Sequence, residues 1–108
     1  MKKIELFNPS AANGTFASVN IDAGNVAGTA NRVYEARVVG SGAVAATVAF
    51  YGSINGTTFS TTPFGTVILS GTTSSTDSFA SQAPWPYVQC IITGISGTGA
   101  TVRALVAF

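Results

Sequence analysis

Two neighbouring stretches, RVYEARVV (Arg32–Val39) and AVAATVAFY (Ala43–Tyr51), decide how the chain folds. In the first, Glu35 and Arg37 fall on one side of a two-residue alternation, with Tyr34, Ala36 and Val38 on the other. In the second, Val44, Ala46, Val48 and Phe50 occupy alternate positions. A period of two places side chains on opposite faces of a strand, so both sets are expected to point inward. A helix would need its apolar groups three and four residues apart, and few segments show that spacing.

The same grammar extends outward. Val, Ile, Thr, Phe and Tyr gather in short runs separated by Gly, Asn and Ser, while Leu, Glu, Lys and Gln are scarce. Alternation predicts strands near Thr15–Ile21, Arg32–Val39, Ala43–Tyr51, Thr57–Thr61, Gly65–Ser70, Thr76–Ala80, Tyr87–Thr93 and Ala100–Phe108. In the last, Val102, Ala104, Val106 and Phe108 form the inward set. Asp22-Ala23-Gly24-Asn25, Asn55-Gly56 and Ser96-Gly97-Thr98-Gly99 read as turns. The expected fold is all-β, an antiparallel two-sheet β-sandwich, jelly-roll-like, with about seven to eight short strands.

The 108 residues suit one core. Residues 1–14 read as an N-terminal arm or edge strand, and 15–108 as a single sandwich domain. The arm holds Ile4, Leu6 and Phe7 close together, which are costly to leave in water, so it is expected to pair with a sheet edge of its own subunit or a neighbour.

Composition narrows the function. Charged residues are 8% of the chain against roughly 25% in ordinary domains. The net charge is +1, and no charged side chain lies between Arg37 and Asp77. Nucleic acid needs clustered Lys and Arg, and no such cluster exists. No apolar run approaches the roughly 18 residues of a spanning helix, so no membrane partner is expected. So bare a surface makes a poor solitary monomer, which points to coverage by other subunits. A homo-oligomer is expected, with a trimer the first choice. Phe59 and Phe64, in loop-like sequence, are candidate contacts beside Ile4, Leu6, Phe7 and Trp85.

Catalysis finds no equipment. The chain has no His, which removes triads and imidazole metal sites. Its acids, Glu5, Asp22, Glu35 and Asp77, are not paired in sequence. GISGTG (Gly94–Gly99) lacks the Lys and the following helix of a phosphate cradle, so it reads as a turn. Asn13-Gly14-Thr15 and Asn55-Gly56-Thr57 read as turns rather than glycosylation acceptors. No enzyme, no cofactor and no metal is expected.

PWPYVQCIIT (Pro84–Thr93) holds the single Trp and the single Cys. Cys90 alternates with Val88 and Ile92 and should be a buried small hydrophobe, with no cation near it in sequence to activate the thiol. Trp85, between two prolines, is either a plug at the end of the sandwich or an exposed surface for sugar or protein contact. One Cys permits no internal disulfide, and the N-terminus shows no export signal, so synthesis in the cytoplasm is expected.

VAFYGSINGTTFS (Val48–Ser60), with PWPYVQCIITGISGTGATVRALVAF (Pro84–Phe108), resembles small β-sandwich structural proteins of tailed bacteriophages. These include head decoration (cement) proteins and tail-associated modules. The resemblance covers about residues 32 to 108. It implies a virion component that binds other virion proteins, major capsid or tail subunits, often as a symmetric oligomer. Where that pattern often carries a basic residue after the Tyr-Val pair, this chain has Gln89. The alternative function from a different class is a carbohydrate-binding β-sandwich module that stacks a sugar on Trp85, Tyr87 or Tyr51. Fold alone does not separate the two.

Overall fold

A computed structural model describes residues 3–21, 32–81 and 85–107, with the side chain of Asn8 left aside. The expected turn at Asp22–Asn25 and the inward Phe108 lie outside the described residues. Among the described residues there is no α-helix and the strands are antiparallel throughout. They are β1 (Lys3–Ser10), β2 (Gly14–Thr15), β3 (Val19–Asn20), β4 (Arg32–Ser53), β5 (Gly65–Ser81) and β6 (Tyr87–Ala107). Hydrogen bonding joins all six into one sheet of order β1-β6-β4-β5, with β2 and β3 also on β6.

Three strands are far longer than expected, because pairs of the anticipated short strands are halves of one. Arg32–Val39 and Ala43–Tyr51 are both in β4, Gly65–Ser70 and Thr76–Ala80 in β5, and Tyr87–Thr93 and Ala100–Ala107 in β6. Thr57–Thr61 forms no strand, and Thr15–Ile21 supplies only the short β2 and β3.

Each long strand carries a crease at its middle. Register shifts fall at Val39/Ala43 in the β4–β5 ladder and at Val39/Ser41 and Ser41/Ala45 in the β4–β6 ladder. There the backbone takes left-handed conformations at Gly42 (φ 75°), Gly97 (φ 118°) and Gly99 (φ 64°), and at Thr73 (φ 68°). Glycine adopts these without a steric penalty, so the sequence can bend where pairing continues. The Ser96–Gly99 segment is therefore a crease inside β6 rather than a turn between strands.

The crease brings the two ends of β4 together: the Tyr34 and Phe50 rings lie 5.5 Å apart. Between the facing halves sits one core. It includes all the described residues of the expected inward sets, from Tyr34, Ala36 and Val38 to Val88, Cys90 and Ile92. Val and Ala line the region near the crease. Tyr34, Phe50, Phe64, Phe79 and Trp85 fill the far end, with Tyr34 centroids 5.0 Å from Phe64 and 5.3 Å from Phe79. Small side chains near the fold line and rings far from it fit a gap that widens away from the crease, with the close packing that interiors require.

The N-terminal segment pairs with its own chain. β1 lies antiparallel to the end of β6, with Lys3 opposite Ala107 and Ser10 opposite Val102. A register shift between Glu5 and Phe7 lets one extra residue stand on the β1 side, so Leu6 and Phe7 both reach the core despite being adjacent. Phe7 stacks on Phe16 at 4.2 Å with an interplanar angle of 5°.

Candidate functional site

The six residues put forward as contacts separate sharply. Leu6 and Phe7 are buried in the chain's own core, and Ile4 is half-buried against it. Phe64 packs half-buried against the aromatic cluster, so of the six only Leu6 and Phe7 are withdrawn from the surface. Phe59 and Trp85 remain half-buried and line a shallow groove of about 330 Å³ with Gly52, Ser53, Ile54, Asn55, Thr58 and Ser60.

That groove is built by a tight loop. The Asn55 Oδ1 accepts the N–H groups of Thr57 and Thr58, each at 2.9 Å. Ser53 Oγ donates to the Thr58 carbonyl at 2.7 Å and accepts from the Gly56 N–H at 2.9 Å. Gly56 sits at φ 82°, as the Asn-Gly reading expects. The Ser53, Asn55 and Ser60 side chains of the groove are thus engaged with loop backbone. Trp85 lies near-parallel to Phe64, 6.4 Å away, and a Cβ placed on Gly52 would meet the indole ring. One indole face therefore covers the backbone at Gly52, which favours the plug over the platform.

Arg32 has the inward parity of Tyr34, Ala36 and Val38, and it follows them: it is only 3% exposed. Its Nη1 donates to the Trp85 carbonyl. Burial pushes the Tyr34 hydroxyl above its ordinary pKa, and the neighbouring Arg32 opposes that shift. The inward set expected from the sequence began at Tyr34 and left Arg32 out. Its strand parity was the signal that could have placed it.

Cys90 is buried as expected. Loss of hydration for the thiolate raises its pKa strongly, so the thiol stays protonated and poorly nucleophilic.

On the outer face of the half formed by β1, the end of β6 and the start of β4, the charges converge. Lys3, Glu5, Glu35, Arg37 and Arg103 share this face with Val33, Leu105 and Ala107. Arg103 pairs with Glu5 at 3.4 Å, both well exposed, and Arg37 stands directly opposite Arg103. The signs are mixed, so the face presents no single-sign field. Among the described residues, no group of three or more His, Cys, Asp or Glu side chains could hold a metal ion.

Among the described residues, the outer face of the other half carries no charged side chain. Ala45, Thr47, Ile68, Ser70, Gly94 and Ser96 line an open trough of about 350 Å³, and Ile68 is 72% exposed in it. Ile54, at the loop tip, is 78% exposed. Sequence reading missed Ile68 as a surface residue, although it alternates with the buried Val67 and Leu69.

No protein-family model, no curated protein and no solved structure matches the chain.

Proposed function

We propose that this protein is a non-catalytic structural component of a virion, of the decoration or cement type, that attaches to capsid or tail subunits through its sheet surface. The observation that carries this reading is the outer face around Ile68, which is uncharged among the described residues and leaves Ile68 72% exposed. An aliphatic side chain held so far into water, on a face with no charge, gains free energy when a partner subunit covers it. The resemblance of Val48–Ser60 and Pro84–Phe108 to structural proteins of tailed bacteriophages supplies the class of partner. A two-layer, jelly-roll-like sandwich is the finer description of the fold that we adopt, supported by the approach of Tyr34 to Phe50 within one strand.

The sugar-binding alternative has less behind it. Its key aromatic, Trp85, has one face against Gly52, and the nearby Asn55 and Ser53 are engaged within their own loop. Mass spectrometry of gradient-purified particles of the phage that encodes this chain tests the proposal. The protein should be present at a fixed ratio to the major capsid or tail subunit. Its absence from particles, with the protein abundant in the producing cells, would end the reading.

A further inference from the structure

β5 forms one border of the sheet. Its inner side pairs with β4 along its whole length, and its outer side meets no other strand among the described residues. The strand is GTVILSGTTSSTDSFAS, with one charge, Asp77, and with neither Lys nor Pro. An open strand edge is a template for another strand, and proteins that must remain single usually blunt it with Lys, Pro or an inward charge. Asp77, at the inward parity of Phe79, is the one such device on this edge, and it guards the late half alone.

The crease selects the occupant. Thr73, the residue with φ 68°, stands at the midpoint of Gly65–Ser81. β5 therefore runs along the border of both facing halves, in opposite directions, and turns at its own centre. A straight strand from an unrelated protein could follow only one half. A second copy of β5, related by a two-fold axis that runs through the crease along the strand direction, follows both. Its early half lies antiparallel beside the late half of the first copy, and the creases coincide.

We infer that β5 is a self-complementary edge through which two copies of this chain pair, Thr73 facing Thr73 of the second copy. In this register Val67 faces Phe79 and Leu69 faces Asp77, so residues of inward parity meet one another, and Ile68 faces Ser78. The two copies of Asp77 lie on opposite sides of the axis, with no like charges opposed. Isologous pairing of this kind is the commonest closed symmetry. The two-fold pairing replaces the trimer expected from the uncharged span alone. It does not depend on the virion reading, because it concerns only copies of this chain.

Sedimentation equilibrium of the full chain at tens of micromolar, with cross-linking, tests it. The wild type should sediment at twice its 10.9 kDa chain mass. The double variant Ser70→Lys/Ser78→Lys adds cations at two exposed edge positions, opposite Ala45 and Glu35 within the chain. It should sediment as a monomer while keeping its β circular dichroism. A second arm does not depend on that variant folding. Thr73→Cys should oxidise to a covalent dimer, since facing residues bring the Cα atoms within disulfide reach, whereas Thr57→Cys in the exposed loop should not. Buried Cys90 stays out of the reaction. A monomeric or trimeric wild type overturns the inference, and so does cross-linking at position 57 equal to that at 73.

Discussion

Tyr34 and Phe50 belong to one continuous strand, yet their ring centroids are 5.5 Å apart. An unbent strand would hold them about 50 Å apart at its usual rise per residue. The difference is made by the crease around Gly42 and held by contacts at the far end, where Phe64 and Phe79 pack on both rings. Those contacts join residues distant in sequence, so the cluster closes the fold.

Phe50→Ala should therefore be among the costliest substitutions in the chain. Removing a fully buried ring typically destabilises by about 3–5 kcal/mol, and this ring touches both halves of the core. Ile54→Ala, at an exposed loop tip, should change stability by no more than about 0.5 kcal/mol. Urea denaturation of the two variants checks the contrast. Similar midpoints for both would contradict the closing role of the cluster.

Gly52→Ala should be destabilising although it adds a single methyl group. The new Cβ would meet the Trp85 ring, which must move. Overpacking of this kind costs about 1–3 kcal/mol. Because Trp85 is the single tryptophan, its displacement is visible directly. The expected result is a lower melting temperature together with a red-shifted emission maximum in the native state. An unshifted spectrum would mean that the ring does not rest on Gly52.

Cys90 gives stability a dependence on alkaline pH. Burial raises its pKa in the folded chain, while the unfolded thiol ionises near 8.5. Its contribution is therefore complete below about pH 8.5. It falls as pH rises beyond that value, with a slope approaching 1.36 kcal/mol per pH unit. Cys90→Ala should cost about 1 kcal/mol at pH 7 and flatten the decline between roughly pH 8.5 and 9.5, below the value near 10 at which the unfolded Tyr side chains are half ionised. Denaturant midpoints at half-unit pH steps measure both effects. Equal slopes for the two proteins would show that the thiol is hydrated in the native state.

Phe7 tests the role of the N-terminal strand. Because it is buried and stacked on Phe16, Phe7→Ala should destabilise the fold by about 3–5 kcal/mol. A double-mutant cycle with Phe16→Ala should return a coupling of about 0.5–1.5 kcal/mol from the ring pair. If Phe7→Ala leaves the melting temperature unchanged, the segment is a dispensable tail.

Alternation alone determined which side chains face inward along β4 and β6, since a strand has only two faces and the apolar groups must leave water. It placed Tyr34, Val48, Cys90 and Val102 correctly, and the same parity, had it been applied, would have buried Arg32. Tertiary structure decided that adjacent predicted strands are halves of one. Gly and Ser between two apolar runs are equally compatible with a chain reversal and with a crease through which pairing continues, and only the neighbouring strands choose between them. The candidate surfaces followed the same division. Glu35 and Arg37 were legible as one face. Their meeting with Arg103 and Glu5, the withdrawal of Leu6 and Phe7 into the core, and the open edge of β5 all depend on which strands lie side by side. That order is set by packing across the crease between residues far apart in sequence, and a local pattern carries no record of it.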